Sequence, residues 1–462
     1  MPSRTTSRRW LALTAGVATI SLAACGGDGG GGSGGESDAL ADVTSDVDCA
    51  DFEQYGDLEG TEVSIYTSII SPEDQPHIDS YKPFEDCTGA TVNYEGSRDF
   101  EAQLQVRLQA GNPPDIAYIP QPGLIETIAS DFPDAIVEVS DPAQSNVDEY
   151  YNPQWKEYGT VDGTYYGAPL GANAKSFVWY SPSMMEEAGY EIPVTLEEMS
   201  ALTEQIVADN PDTKPWCAGI ESGTATGWTA TDWLEDYMLR NAGVDVYDQW
   251  VEHEIPFNDP QVVDALNEVG DILRNPDYVN GGLGGVESIA TTSFSDAGLP
   301  ILDGNCWLHR QATFYQANWP DGTDVAEDGD VFAFYLPAVT EEEKPMLGGG
   351  EFTVAFADRP EVAAFQAYLT SPEWSDVKAQ LSGPGWLSAN NGMNPDNYAS
   401  PIDQLAFELL TDEETEFRFD GSDLMPAAVG AGTLWTAMTD WIALGTDSEK
   451  VLTTVENSWP NN

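Results

Sequence analysis

Cysteine and histidine are the residue types whose spacing in this 462-residue chain tests most directly for metal or redox chemistry. Structural zinc sites and redox-active cysteine pairs need ligands that lie close together along the chain. The cysteines and histidines of this chain are too far apart in the sequence to indicate such a site, and we expect neither a metal nor a cofactor. Disulfides are the alternative if the compartment is oxidising. The scattered residues are Cys25, Cys49, Cys87, Cys217 and Cys306, with His77, His253 and His309.

The N-terminal residues indicate that compartment. Three arginines in the first nine residues precede an apolar run, Trp10 to Ala24, in the order typical of a secretory signal. The run is too short to span a membrane. Leu22-Ala23-Ala24-Cys25 resembles the lipobox of bacterial lipoproteins, in which the cysteine is lipidated and becomes the new N-terminus. An ordinary secreted protein cut near Ala24 is the alternative.

The N-terminal signal sets the first segment boundaries of the chain. Residues 1–24 are expected to be a lipoprotein signal peptide, and residues 25–49 a lipid anchor with a flexible glycine-rich tether. With Cys25 lipidated, four cysteines remain for disulfides, and three pairings are possible. We therefore expect a protein held on the extracellular face of the cell membrane.

Acidic residues dominate the composition. The mature chain keeps 79 acidic and 14 basic residues, a net charge of −65, because the signal contains three arginines and no acid. Nucleic acid is therefore a poor partner, as is an anionic lipid surface. Hydrophobic residues make up 41% of the chain, enough for a large core. We interpret the acidic, lysine-poor surface as an adaptation to concentrated salt.

Short apolar strands alternate with amphipathic helices after the tether, which predicts an α/β architecture. Apolar residues every four positions and capping signals mark the helices. The predicted strands are 63–70, 115–119, 331–336 and 352–356. The predicted helices carry Phe100, Leu104 and Leu108, begin at the capping box Thr195-Leu196-Glu197-Glu198 and at Asp259-Pro260, and cover 361–369.

Several stretches together resemble the extracellular sugar-binding proteins of ABC importers, and most of all their α-glucoside-binding, maltose-binding-protein-like branch. The general family pattern is carried by Tyr166-Gly-Ala-Pro-Leu-Gly-Ala-Asn173, Phe177-Val-Trp-Tyr180, Asp303-Gly-Asn-Cys-Trp307, Gly348-Gly-Gly-Glu351, and Leu424-Met-Pro426 with Trp435. The branch is carried by Lys214-Pro-Trp-Cys-Ala-Gly-Ile220, Gly227-Trp-Thr-Ala-Thr-Asp-Trp-Leu-Glu235, Ile255-Pro-Phe-Asn-Asp-Pro260 and Asp330-Val-Phe-Ala-Phe-Tyr-Leu-Pro337. The resemblance spans nearly all of the mature chain.

The resemblance implies a two-lobed periplasmic-binding-protein-like α/β fold, with a hinge of crossing segments and a sugar in the cleft. The first lobe would comprise 50–171 plus 338–386, and the second 172–337 plus 387–462. This layout favours the disulfide pairs Cys49 with Cys87 and Cys217 with Cys306, because a disulfide between the lobes would lock the hinge.

Sugars present hydroxyls for hydrogen bonding and C–H faces for aromatic rings. The resemblance places Trp228, Trp307 and Trp435 as stacking rings, although each tryptophan could instead belong to the core. Further candidates are Arg98 and Gln121 after predicted strands, Asn173 and Lys175 in the first crossing segment, and Asp232 one helical turn after Trp228. Glu351 stands where relatives carry an aromatic residue. His309 and Arg310 are candidates for supporting the ligand contacts.

The expected function is that of a non-enzymatic receptor. It would capture an α-glucoside or short oligosaccharide and deliver it to ABC permease subunits and their ATPase, working as a lipid-anchored monomer. An extracellular glycoside hydrolase with paired carboxylates is the alternative, because some pair among 79 acids falls at catalytic spacing by chance. A surface adhesin for polysaccharide is a third hypothesis.

Overall fold

The computed structural model describes residues 47–282, 284–398, 400–412 and 414–460. The signal peptide, Cys25 and the tether up to residue 46 lie outside the described residues. Two large β-sheets, each accompanied by helices, organise the described chain. None of the helices in these ranges combines the length and the hydrophobicity that a membrane span requires.

The strands build one large sheet in each lobe and one small hairpin sheet. The strands are β1 (Glu62–Thr67), β2 (Thr91–Gly96), β3 (Ile116–Ile119), β4 (Thr160–Val161), β5 (Thr164–Tyr165), β6 (Gly167–Ala174), β7 (Phe177–Tyr180), β8 (Lys214–Cys217), β9 (Val279–Asn280), β10 (Cys306–Arg310), β11 (Phe332–Tyr335), β12 (Pro345–Ala355) and β13 (Glu416–Phe419). The first large sheet has the order β13-β12-β3-β1-β2, with β6 paired along β12, the second has the order β11-β7-β10-β8-β9, and β4 pairs only with β5. Because β1 is parallel to β2 and to β3, their carboxyl ends meet at one edge.

Helices pack on both sheets. The first lobe has Asp74–Ser80, Lys82–Thr88, Phe100–Gln109, Pro122–Asp131, Asp141–Tyr150, Pro153–Tyr158, Pro360–Leu369 and Pro372–Ser382. The second has Pro182–Ala188, Leu196–Asp209, Trp228–Asn241, Val244–Val251, Pro260–Leu273, Pro401–Thr411, Gly421–Leu424, Trp435–Ala443 and Ser448–Glu456. The 3₁₀ segments include Cys49–Tyr55, Gly223–Ala225 and Thr313–Asn318, and Ala428–Leu434 is a π-helix.

Local sequence explains where several of these helices begin. The Thr195 hydroxyl accepts a hydrogen bond from the Glu198 N–H at 3.2 Å, so this residue caps the helix that the sequence predicted. Asp259 likewise accepts from the Gln261 N–H at 3.0 Å, and proline takes the first helical position. The helix starts inferred from these two signals are confirmed.

The chain passes between the sheets at Lys175 and Ser176. Strand β6 ends at Ala174 in the first sheet, and β7 begins at Phe177 in the second. The expected crossing segment is therefore present. Two placements differ from the predicted layout: residues 172–174 and β13 were assigned to the second lobe, but β6, which extends to Ala174, and β13 both pair with β12 in the first sheet. The backbone of β12 at 345–348 extends beyond its pairing with β3, and β13 satisfies its hydrogen bonds there.

Two disulfides join the cysteine pairs that the resemblance favoured. Cys49 is bonded to Cys87 with a Cα–Cα distance of 5.1 Å, and Cys217 to Cys306 with 5.7 Å. The second disulfide joins the neighbouring strands β8 and β10 and so closes a long loop within one sheet. Neither disulfide joins the two sheets, and both leave the hinge free.

Removing the second disulfide tests its contribution to stability. The variant Cys217→Ser/Cys306→Ser is expected to lose about 2–5 kcal/mol of unfolding free energy, because the unfolded chain gains the freedom of the opened loop. Guanidinium denaturation under oxidising conditions measures this loss. A denaturation midpoint equal to that of the wild-type protein would contradict the expectation.

Candidate functional site

A cavity of about 580 Å³ lies between the lobes. Its first-lobe wall comes from the segments that follow β1, β2 and β3, at the edge where these parallel strands end. Open α/β sheets bind ligands at such an edge. Small-molecule sites typically enclose about 300–1,000 Å³. The cavity therefore has the position and the size of a site for a small ligand.

Aromatic rings form the second-lobe wall. Trp228, at the start of its helix, lies edge-on to Phe294 with the ring centroids 5.2 Å apart, and 6.0 Å from Phe314. Trp435 lines the same cavity and donates its indole N–H to the Ser422 hydroxyl at 3.3 Å. Flat apolar faces of this kind pack well on the C–H faces of sugar rings.

Polar groups face this wall from the first lobe. Gln121 donates to the Glu101 carboxylate at 3.2 Å, while its own carbonyl oxygen is buried and has no hydrogen-bond partner in the described part of the chain. The same is true of the side-chain oxygen of Asn173. Unpaired buried acceptors are costly, so both oxygens are suited to accept from a ligand hydroxyl.

A buried ion network holds the crossing segment behind the cavity. Lys175 is 5% exposed and binds Asp232 at 3.0 Å and, more closely, Asp420. Arg310 extends the network, binding Asp232 at 3.2 Å and the Asp236 carboxylate through Nε at 2.9 Å. The Lys175 ammonium also lies 5.3 Å from the centre of the Trp228 ring. The network fixes a positive charge at the floor of the cavity.

Burial and charge set the protonation of these groups. Burial alone would lower the pKa of Lys175, but Asp232 and Asp420 raise it well above its usual value. Burial and the negative charge of Asp420 raise the pKa of Asp423 well above its usual range. At neutral pH, Lys175 is therefore a charged donor at the cavity wall, whereas burial favours the neutral form of Asp423.

Three of the carboxylates are close enough together to resemble a cation site. One oxygen from each of Asp232, Glu235 and Asp420 lies within 4.8 Å of the others. Each already has partners, however: Lys175 binds Asp232 and Asp420, and Glu235 accepts the N–H groups of Gly421 and Ser422, each at 3.0 Å. The lysine ammonium is thus already bound to two of the three carboxylates. Because this cluster contains only Asp and Glu, the spacing of cysteine and histidine did not predict it.

The lobes also touch beside the cavity. Arg98 lies 3.8 Å from Glu221 of the second lobe, and the Thr224 hydroxyl donates to the Arg98 carbonyl at 3.2 Å. Both Arg98 and Ser222 line the cavity. These contacts bring the lobes together around the site.

Residues 60–376 match the family model of bacterial extracellular solute-binding proteins. The chain belongs to this family. It is the solute-binding component of an ABC importer, and its two lobes are those of the family fold.

Two relatives resemble this solute-binding protein over most of its length. It is 38% identical to the alpha-glucosides-binding periplasmic protein AglE of Rhizobium meliloti (strain 1021), over 88% of this chain and 89% of that protein. It is 39% identical to the osmoprotective compounds-binding protein GgtB of Synechocystis sp. (strain ATCC 27184 / PCC 6803 / Kazusa), over 88% of this chain and 94% of that protein.

Solved structures share the fold. The bacterial solute receptor AcbH, which prefers β-D-galactopyranose, matches with a TM-score of 0.72 at 17% identity, over 86% of this chain and 98% of that one. The maltose-bound MalE3 of T. maritima matches with a TM-score of 0.64 at 16% identity, over 86% and 98%.

Seven of the predicted ligand residues of this solute-binding protein line the cavity. These are Arg98, Gln121, Asn173, Lys175, Trp228, Glu351 and Trp435. Asp232 is fully buried and lies behind Lys175, where it supports the lysine and does not face the cavity. His309 binds the Cys217 carbonyl at 3.0 Å, and Arg310 belongs to the ion network.

Trp307 lies away from the cavity, unlike the sequence expectation. Its indole N–H donates to the Thr213 hydroxyl at 3.0 Å, and its ring packs 5.3 Å from that of Tyr190. The reason is strand alternation: in β10, Trp307 points to the opposite face from Arg310, which binds Asp232 beside the cavity. Trp307 therefore packs on the far side of the second sheet.

Sequence reasoning missed several lining residues. Glu73 follows β1, just as Arg98 follows β2 and Gln121 follows β3, so the rule that selected those two would have found it. Phe294 lies outside any helix or strand, and Phe314 lies in a short 3₁₀ segment. No periodic pattern marked these two rings.

Proposed function

We propose that this solute-binding protein is a lipid-anchored receptor for an α-glucoside or a short α-linked oligosaccharide. The observation that carries the proposal is the pairing of two walls: Trp228 and Trp435 on one side, and the unpaired acceptors of Gln121 and Asn173 on the other. Rings suit the C–H faces of a sugar, and the amide oxygens suit its hydroxyls. The relative AglE, an alpha-glucosides-binding periplasmic protein, supports the same ligand class.

Binding and closure are one process in this proposal. A ligand shifts a protein between open and closed forms only by its difference in affinity for them. Here Gln121 comes from the first lobe and Trp228 from the second, so a sugar contacts both only when the lobes are together. The contact between Arg98 and Glu221 adds to the same closed form. The closed receptor then docks on the permease, and the ATPase supplies the energy.

The anchor and the assembly state are part of the proposal. Cys25 carries the lipid that holds the mature chain, as a monomer, on the outer face of the cell membrane, where the family works. The negative charge of the mature chain keeps its lobes away from an anionic lipid surface. Labelling with a radioactive fatty acid tests this anchor, because Cys25→Ser should abolish incorporation.

A glycoside hydrolase is the rival, and it makes a different prediction. Glycosidases need two carboxyl groups that flank the scissile bond, one of them a proton donor. Four acids that line the cavity, Glu73, Glu101, Glu351 and Asp423, have pKa values raised by burial, and Glu101 already accepts a hydrogen bond from Gln121. We infer that the protein binds its sugar and releases it unchanged.

Titration of residues 26–462, which lack the lipidated Cys25, tests this function. Tryptophan fluorescence would measure the binding of a panel of α- and β-linked sugars at low and high salt. Product analysis of each mixture would detect any hydrolysis. We expect saturable binding of at least one α-glucoside, because Trp228 and Trp435 line the site, and no hydrolysis. Preference for β-linked sugars or release of glucose would refute the proposal. Affinity that rises with polysaccharide length would favour the adhesin.

A further inference from the structure

A small recess of about 80 Å³ adjoins the main cavity. The two spaces share Ile69, Pro72, Glu73, Asn173, Phe314, Ala317 and Glu351 as lining residues, so one ligand can reach both. A single water needs only about 10–15 Å³. The recess therefore has room for a hydroxyl-bearing group of several heavy atoms, though not for a whole sugar ring.

Unpaired polar atoms line this recess. The indole N–H of Trp386 and Nδ1 of His77 are buried and have no hydrogen-bond partner in the described ranges. The side-chain oxygen of Asn173, which borders both spaces, is likewise unpaired. Three such atoms around one small space are unusual, because buried polar groups are nearly always paired with protein, water or ligand.

Lys378 adds a buried amino group to the recess. The residue is 2% exposed and donates to the Ser382 hydroxyl at 2.6 Å, and its ammonium lies 5.0 Å from the centre of the Trp386 ring. Among the described residues, no carboxylate lies within ion-pair distance of it, although Glu73 and Glu351 act on it electrostatically. An ammonium has three donors, so Lys378 has donors left for a ligand.

Gly171 leaves space for two of the lining groups. A Cβ at this position would lie 3.1 Å from the Glu351 carboxylate and 3.1 Å from the indole nitrogen of Trp386. Glu351 itself stands where the pairing of β12 with β6 shifts register. An acceptor and a donor thus flank the same small space.

The charges in the recess favour a neutral guest. Two carboxyl groups, Glu73 and Glu351, oppose one ammonium, Lys378. Burial raises the pKa of Glu73 to about 8 and lowers the pKa of Lys378 to about 7. Near neutral pH these three side chains together therefore offer both hydrogen-bond donors and acceptors, with little net positive charge to attract an anion.

We propose that the recess is a second subsite, which binds a short neutral polyol group at one end of the glucoside, and that Lys378, Trp386 and Glu351 select it. This inference rests on the proposed function and adds the ligand's second half. While the glucose ring contacts Trp228 in the main cavity, the hydroxyls of the aglycone accept from Trp386 and Lys378 and donate to Glu351.

Three probes that share a glucose ring test the subsite. Methyl α-D-glucopyranoside has no group for the recess, α-glucosylglycerol carries a neutral three-carbon polyol, and α-glucosylglycerate ends the same three carbons in a carboxylate. Calorimetric titration of the wild-type mature chain should give at least tenfold tighter binding of glucosylglycerol than of either other probe. Glucosylglycerate binding as tightly as glucosylglycerol would overturn the choice of a neutral group.

Two variants locate that preference in the recess. Trp386→Phe keeps a ring and removes the N–H, and Lys378→Met keeps the stem and removes the ammonium. Each variant should bind glucosylglycerol about fivefold or more weakly than the wild-type protein, as expected for one lost hydrogen bond. Its affinity for methyl glucoside should stay within twofold of the wild-type value. The matched control is Trp250→Phe, which removes an equally buried, unpaired indole N–H in the second-lobe core. It should change neither affinity.

The outcomes separate the two proposals. If Trp386→Phe weakens both probes equally, or neither, the recess does not bind the aglycone and the subsite is wrong. If the wild-type protein binds neither α-glucoside, the proposed function itself fails, and the subsite with it. If only methyl glucoside binds tightly, the function stands and the subsite falls.

Discussion

Replacing Lys175 with methionine is expected to lower the free energy of unfolding by about 3–5 kcal/mol and to abolish ligand binding. Lys175 is 5% exposed and is the cation that Asp232 and Asp420 share at the floor of the cavity. Methionine fills most of the space of the stem but leaves those carboxylates without their ammonium. The cost of burying an unpaired charge is much larger than the net worth of the pair itself.

The pH dependence of this loss identifies its cause. In the wild-type protein burial alone would raise the pKa of Asp420, but the Lys175 ammonium holds that pKa at about 2. Without the ammonium, the folded-state pKa of Asp420 rises above its unfolded value. Stability is then present at low pH and lost as pH increases. The deficit of Lys175→Met should therefore be larger at pH 8 than at pH 5.

Urea denaturation at the two pH values measures this deficit, and two variants control it. Lys344→Met removes a lysine that pairs with Asp412 at the surface, where solvent screens the charges, and should have little effect. Lys175→Met/Asp420→Asn should recover part of the lost stability, because one unpaired carboxylate is gone. Equal losses of unfolding free energy in Lys175→Met and Lys344→Met would refute the role of the network.

The sequence predicted those parts of the fold that depend on local signals. The caps at Thr195 and Asp259 and the stripe of Phe100, Leu104 and Leu108 each define a helix through neighbours a few residues apart. Strand β12 was predicted only at 352–356, because its first half, with Gly348, Gly349 and Gly350, has no apolar alternation. That half is held by pairing with β6 and β13, which are distant in sequence.

The candidate site was predictable where one residue follows one strand, and less so where several elements converge. Arg98 and Gln121 reached the cavity because the ends of parallel strands meet at one edge. Asp232 was placed one turn from Trp228 correctly, but its burial behind Lys175 depends on Asp420, far along the chain. For Trp307, the face of β10 decides the outcome, and the motif alone does not specify which face points to the cleft.

Replacing Trp228 with alanine is expected to weaken sugar binding about 30-fold, or ~2 kcal/mol, because the ligand loses both a stacking face and apolar contact area. Trp228 is only partly buried, lines the cavity and is braced by Phe294 and Phe314. Its ring also lies over the Lys175 ammonium, so its removal opens that charge to water.

Trp307→Ala is the matched control, since it removes the same side chain from the other side of the second sheet. Its ring packs on Tyr190 and its N–H binds Thr213, so its loss should lower stability and leave sugar affinity within about twofold. Titration of both variants with the same α-glucoside, alongside their thermal midpoints, separates the two effects. Weaker binding by Trp307→Ala with unchanged affinity in Trp228→Ala would reverse the assignment. The ring that stacks on the sugar would then belong to β10 and not to the helix that begins at Trp228.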